Sequence, residues 1–198
     1  MDRKQAVTET RTELVKELRA RTGAGIIDCR DALAEAGGDL EKATEILRAK
    51  GLASAEKKAG RTASEGLVEA YIHTGGRVGA IVEVNCETDF VARTEEFKRL
   101  ARDLAMQVTA SAPLYVRREE IPPNEVEARR RIFAAELVGK PAAAVDGKLE
   151  KWFREVILLE QPFIRDDTRQ VRDVITETVA KVGENIQVRR FARFRLGE

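Results

Sequence analysis

Along the first fifty positions the apolar residues recur at helical spacing and are interrupted by glycine in three places. Thr10 followed by Glu13 fits a capping box, after which Leu14 and Leu18, with the offset Val15, form an apolar stripe to about Arg21. Thr22-Gly23-Ala24-Gly25 then reads as a helix stop and tight turn, because glycine tolerates the left-handed backbone that such stops use. A second helix carries Ile26, Cys29, Leu33 and Ala36 on one side and ends at Gly37-Gly38. Asp39 is a good N-cap for a third, with Leu40, Ala43 and Leu47 inward and Gly51 as its end. The pattern predicts a three-helix domain over residues 10–52, preceded by a disordered or mobile stretch at 1–9.

Residues 53–64 are small, polar and charged and read as a helical or mobile linker, weakest at Gly60. At Gly66 the period changes. Leu67 to His73 alternates loosely, Thr74-Gly75-Gly76-Arg77 is a turn, and Val78, Ala80, Val82, Val84 and Cys86 recur with period two, predicting a β-hairpin packed on one face. A long helix follows, with Phe97, Leu100, Leu104 and Val108 inward and Pro113 as its stop. Pro122-Pro123 precedes a helix near 124–138, and 139–147 reads as a loop or fragmentary helix. Further helices are expected from Lys148 to about Leu159 and from Thr168 to about Val182. Asn185 to Leu196 returns to alternation, predicting Ile186, Val188, Ala192 and Phe194 on one face and Arg189, Phe191, Arg193 and Arg195 on the other. Residues 65–198 thus describe an α+β core domain with an antiparallel three-stranded sheet and packed helices.

Composition narrows the function classes. Of the 198 residues, 43% are apolar and 35% charged, enough apolar material for a core, and the formal net charge of +1 supplies no overall field toward nucleic acid or membrane. Cys29 and Cys86 are far apart and form no C-x-x-C pair, which argues against a disulfide scaffold or zinc site and suits a reducing compartment. The first residues include Asp2, Glu9 and Glu13, do not resemble a targeting peptide, and no apolar run has the length of a membrane span; a cytoplasmic location is expected.

No constellation of catalytic groups emerges. His73 is the sole histidine and has no orienting partner to make it a base toward Cys86. Thr22-Gly23-Ala24-Gly25 lacks the Lys-Ser/Thr and the preceding strand of a phosphate loop, so no nucleotide, cofactor or metal is expected to bind directly. The basic run Val188 to Arg195 offers an alternative function, an RNA- or ribosome-associated module, since arginines interleaved with phenylalanine can hold phosphates and stack bases. Phe191 and Phe194 have opposite parity, however, and cannot share one stacking surface on a regular strand.

The stretch Glu83-Val84-Asn85-Cys86-Glu87-Thr88-Asp89-Phe90-Val91-Ala92-Arg93 admits two readings. Phe90 lies seven residues before Phe97, so one continuous helix would put both rings in the core. Alternatively Thr94-Glu95-Glu96 opens the helix, and Thr88 to Arg93 becomes an exposed corner suited to gripping another protein. The residues by themselves fit both.

EVNCETDFVAR, from Glu83 to Arg93, and LRARTGAGIIDCRDAL, from Leu18 to Leu33, resemble the two signatures of the elongation factor Ts family. Arg30 stands where that family usually has lysine, and Asp31 is an unusual acidic occupant. Glu160-Gln161-Pro162-Phe163 and Gly183 to Phe191 add shorter matches, in order along nearly the whole chain. The resemblance implies a ubiquitin-associated-like N-terminal domain, a linker and an α+β core. It implies a non-enzymatic guanine-nucleotide exchange factor whose partner is the GTPase elongation factor Tu. By the same resemblance Arg21, Thr22, Gly23, Ala24 and Gly25 of the small domain dock on that partner, and Thr88, Asp89, Phe90 and Val91 wedge beside its magnesium and nucleotide site. Neither a duplicated core half nor a coiled-coil insertion is present, as in short members of the family, which implies a homodimer through the core sheet with the C-terminal strand as an edge for pairing. Residues 139–147 are about one helical turn shorter than usual, and Ala192 stands where some short forms have a cysteine, so a dimer would be non-covalent at that position.

Overall fold

The computed structural model describes residues 3–198, with side chains described from residue 11 onward. It contains mixed helix and sheet in two compact units, the first extending to Thr62 and including Thr176–Asn185, the second comprising Ala63–Ile175 and Ile186–Glu198.

The first unit is built on α1 (Arg3–Thr22), α2 (Ile26–Glu35) and α3 (Leu40–Lys58). Leu18, Cys29, Ala32, Leu33, Ala43 and Leu47 form its core, with Leu14, Val15, Leu40 and Ile46 packed around them. Helix α1 is already formed at Arg3, so Thr10 lies inside it and does not cap it; Lys4, Gln5 and Ala6 favour helix and nothing before Thr10 breaks it. Of the stretch expected to be mobile, residues 1 and 2 lie outside the described residues. Asp39 caps α3 as predicted, its carboxylate accepting from the N–H groups of Glu41 and Lys42 at 3.0 and 3.1 Å. Gly51 does not end α3. A helical glycine costs only about 1 kcal/mol and strong helix formers follow it; Ala180 packs nearby, its Cβ at an ordinary contact distance of 3.6 Å from where a Cβ on Gly51 would be. The stretch read as a linker is therefore helical to Lys58 and turns at Ala59-Gly60. Asn185 holds that turn, its amide donating to the carbonyls of Ala59 and Arg61.

In the second unit β1 (Glu65–Ile72), β2 (Val78–Cys86) and β5 (Gln187–Arg195) form an antiparallel sheet in the order β1-β2-β5. Helix α5 (Glu95–Ser111) covers one face, burying Phe97, Leu100, Leu104 and Val108 against Ala80, Val82, Val84 and Val188. The predicted faces of β5 hold only at Val188. The register shifts between Glu83, which pairs with Arg190, and Val84, which pairs with Val188, leaving Arg189 as a bulge. One extra residue inverts every later side chain. Phe191 and Arg193 consequently turn toward the helix layer, while Ala192 and Phe194 face outward.

Helices α6 (Pro123–Glu136) and α7 (Ala142–Val156) enclose a second cluster of Ile121, Phe133, Leu149, Trp152, Phe153 and Ile157. α7 begins six residues earlier than the sequence pattern suggested, because Ala142-Ala143-Ala144 sustains a helix as soon as Pro141 has been passed. A short hairpin of β3 (Pro162–Phe163) and β4 (Asp166–Gln170) replaces the expected start of α8, which runs Val171–Val182. This hairpin is fixed from a distance. The fully buried Gln107 on α5 donates to Gln161 Oε1 and the Pro162 carbonyl, each at 3.1 Å, and accepts from the Ile164 N–H at 2.7 Å. Glu160 is buried in the fork of Arg118, which also grips Glu150. The Glu160-Gln161-Pro162-Phe163 motif is thereby the tie between loop, hairpin and helix.

Gly66 sets the closest backbone approach in the sheet: its φ is +146°, and a Cβ there would lie 2.1 Å from the Val84 carbonyl oxygen. Gly66→Ala is expected to cost at least about 2 kcal/mol. Urea unfolding followed by Trp152, the only tryptophan and a member of this unit, measures it.

Candidate functional site

The β2 strand ends at Cys86, and the chain then makes a corner held by two threonines. Thr88 caps the short helix α4 (Asp89–Ala92), its hydroxyl oxygen accepting from the Val91 N–H at 3.3 Å. At Thr94 the backbone leaves helical geometry, with φ −69° and ψ 150°. Its hydroxyl oxygen accepts from the Phe97 N–H at 3.3 Å, opening α5, while its O–H donates to the Val91 carbonyl at 2.8 Å, closing α4. Glu95 and Glu96 then occupy the first turn of α5, where carboxylates favour the positive end of the dipole.

This break separates the two phenylalanines. Phe97 is fully buried, whereas Phe90 is 77% exposed. Val91 and Ala92 anchor the corner from beneath, at 5% and 4% exposure, on β1 and β2. Of the four residues expected at this site, Thr88, Asp89 and Phe90 are exposed and Val91 is buried beneath them; Thr88 also caps α4. Asp89 forms an exposed ion pair with Arg93 at 2.6 Å. An apolar ring held in water on a stiff base has roughly 1.5–3 kcal/mol of burial free energy available to a partner that covers it.

The second expected site, Arg21 to Gly25, is one turn in the first unit. Arg21 bridges Glu17 at 2.6 Å and Glu41 at 2.9 Å, and these hydrogen bonds, Glu17's first, raise its pKa above the ordinary arginine value. Thr22 Oγ1 donates to the Leu18 carbonyl at 2.8 Å and accepts from the Ala24 N–H at 3.3 Å. Gly23 supplies the left-handed φ of +67° that ends α1, and Gly25 starts α2. The sequence reading put Ile26 inward; Ile26 and Ile27 are instead 59% and 66% exposed beside this turn. Helical spacing signals the exposure of Ile27 alone, which lies opposite Cys29, Ala32 and Leu33; Ile26, seven residues before Leu33, shares their side by spacing and is nevertheless exposed at the start of α2.

The other candidates dissolve into structure. His73 stands at the turn end of the β1–β2 hairpin, within 3.3 Å of the Tyr71 hydroxyl, while Cys86 is buried at the opposite end and points its Sγ at the Thr88 carbonyl. Three of the four arginines in the C-terminal run are bonded within the chain, and the bulged Arg189 is exposed. Arg190 pairs with Glu83 at 2.7 Å and holds that carboxyl below its usual pKa, Arg193 donates to the Thr109 carbonyl at 3.1 Å, and Arg195 lies 3.6 Å from Glu198. Phe191 and Phe194 do face opposite sides of the sheet. Among the described residues no helix is long and apolar enough to cross a membrane.

A mixed α+β protein that holds an apolar ring out on a doubly capped corner is, by that geometry, a protein built for contact. Comparison with known proteins gives it a family. The family model described as Elongation factor TS matches residues 5–198. Elongation factor Ts of Carboxydothermus hydrogenoformans is 61% identical over 94% of this chain and 89% of its own length. Those of Thermotoga petrophila and Thermotoga maritima are 57% and 56% identical, each over 96% of this chain and 98% of theirs. The chain belongs to the elongation factor Ts family, and its role lies in translation elongation.

Thr94→Ala removes both bonds that break the helix. It is expected to cost about 1 kcal/mol and to speed amide exchange at Phe97 roughly fivefold, read by hydrogen exchange of the folded protein.

Proposed function

We propose that this protein is a guanine-nucleotide exchange factor that binds elongation factor Tu carrying GDP and promotes release of the nucleotide. The observation that carries the reading is Phe90, 77% exposed on a corner that the buried Val91 and Ala92 anchor. A GTPase holds GDP through backbone amides around the phosphates and a bridging magnesium ion. Docking of the Arg21–Gly25 turn, with exposed Ile26 and Ile27 beside it, orients the two proteins. Phe90 then enters an apolar gap next to the partner's nucleotide pocket and displaces the elements that grip magnesium and phosphate, with Asp89 orienting the approach. The chain performs no covalent chemistry, binds no nucleotide itself and acts in the cytoplasm.

Linkage fixes the energetics. A factor that weakens nucleotide binding is itself weakened by nucleotide to the same extent. Burying one phenylalanine is worth roughly 1.5–3 kcal/mol, or about ten- to a hundredfold in an equilibrium, the scale a useful exchange factor needs. The competing RNA reading is the weaker one, because Arg190, Arg193 and Arg195 already bond to Glu83, the Thr109 carbonyl and Glu198, and Phe191 and Phe194 share no face on which bases could stack.

A homodimer through the core sheet belongs to the same proposal. The outer face of the sheet presents Val68, Ile72, Ile81 and Phe194, exposed at 70%, 65%, 45% and 69%. Ile81 sits between Ala70 and Ala192, and Gly79 lies in the row of Ile72 and Phe194, so the face is flat and apolar with the Glu83–Arg190 pair at its border. A two-fold pairing buries this patch against its own copy.

Phe90→Ala is expected to retain the wild-type melting profile and to slow stopped-flow release of fluorescent GDP from elongation factor Tu by about ten- to a hundredfold; release at the normal rate sinks the wedge assignment. Ile81→Lys with Phe194→Lys is expected to convert a dimer to a folded monomer in sedimentation equilibrium, and a monomeric wild type at high concentration refutes the pairing.

A further inference from the structure

The last turn of α8 belongs to the first unit, although some 120 residues separate it from α3 along the chain. It reaches the α1–α2 turn through one side chain. A Cβ built on Gly23 would lie 2.4 Å from Cε, 2.7 Å from Nζ and 3.2 Å from Cδ of Lys181, so the lysine stem lies across the glycine with its ammonium at the turn. A cation in the final turn of a helix is favoured by that helix's own dipole. That accounts for the charge at position 181. It does not account for a side chain laid across Gly23.

Several cations of this unit are paired, although the Arg19 side chain, at the end of α1, is not paired among the described residues. Arg21 is neutralised by Glu17 and Glu41, Arg30 by Asp31, and Lys50 by Glu35. Lys181 has no ion-pair or hydrogen-bond partner among the described residues, and it lies on the same turn that leads into the exposed Ile26 and Ile27. Two exposed apolar side chains beside an ordered, uncompensated ammonium make a surface whose complement is an apolar patch bordered by a carboxylate.

We infer that Lys181 is the cationic contact of the first unit's docking surface and pairs with an Asp or Glu side chain on the partner GTPase. The inference rests on the exchange-factor reading. The docking surface is thus assembled from two distant stretches of sequence, the Arg21–Ile27 segment and the end of α8. Its lysine contributes to encounter and affinity, whereas Phe90 contributes to the opening of the nucleotide site.

The test measures GDP release from elongation factor Tu over a range of factor concentrations, giving a half-saturating concentration and a maximal rate. Lys181→Glu is expected to raise the half-saturating concentration by roughly tenfold or more, and Lys181→Ala by about threefold, with the maximal rate unchanged. Lys181→Arg restores most of the affinity. The wild-type half-saturating concentration climbs with added salt more steeply than that of Lys181→Ala. Lys57→Glu, an exposed change of equal charge in the same unit, is the control and leaves it near wild type. An unaltered half-saturating concentration for Lys181→Glu, an equal rise for Lys57→Glu, or a fall confined to the maximal rate each overturns the inference while leaving the exchange reading intact. A wild-type chain that fails to accelerate release removes the exchange reading and this inference with it.

Discussion

A helix running unbroken from Asp89 to Ser111 would carry Phe90 and Phe97 on the same side, two turns apart, and bury both. The chain avoids this through one side chain. Thr94 adopts an extended backbone and spends its hydroxyl on both sides of the break, accepting from Phe97 and donating to Val91. Phe97 is then free to sink into the layer between α5 and the sheet, and Phe90 is left outside it. Thr88 repeats the device one step earlier, so the corner is bounded at each end by a hydroxyl and floored by Val91 and Ala92. The outward ring is a consequence of where the helix is made to begin.

The sheet beneath the corner has two unlike faces. Its inner face is closed by α5 and continues into the polar contacts of Gln107, which pin a hairpin too short to persist alone. Its outer face is apolar yet uncovered within the chain. The bulge at Arg189 connects these facts, because it turns Phe191 inward to the helix layer and Phe194 outward to the open face. One inserted residue thus supplies both an inward contact and part of the open apolar face.

Much of this architecture could be read from the residue pattern, and its failures have physical reasons. Period-two alternation located β2, and the helical spacing of Phe97, Leu100, Leu104 and Val108 located α5, since each element buries one side only. Gly51 was misread as a stop because a single glycine costs a helix only about 1 kcal/mol, which the helix formers on both sides of it outweigh. The β3–β4 hairpin left no periodic trace: its bonds come from a glutamine side chain more than fifty positions earlier. The faces of β5 were inverted beyond Val188 because a bulge is set by pairing with β2 and is silent in a single strand. Of the site, Asp89 and Phe90 were legible by resemblance and the corner only as one of two options. The exposure of Ile26 and the place of Lys181 beside Gly23 left no signal in the sequence, because burial and the packing of α8 are set by tertiary structure.

The first unit is not continuous in sequence: Thr176–Asn185 completes it, with Ala180 against Gly51 and Asn185 holding the carbonyls of Ala59 and Arg61. During synthesis the three N-terminal helices leave the ribosome on the order of ten seconds before that segment, at ~5–20 residues per second. For that interval the growing chain has α1 to α3 without their fourth support, and the first unit reaches its finished form only after most of the second has been made.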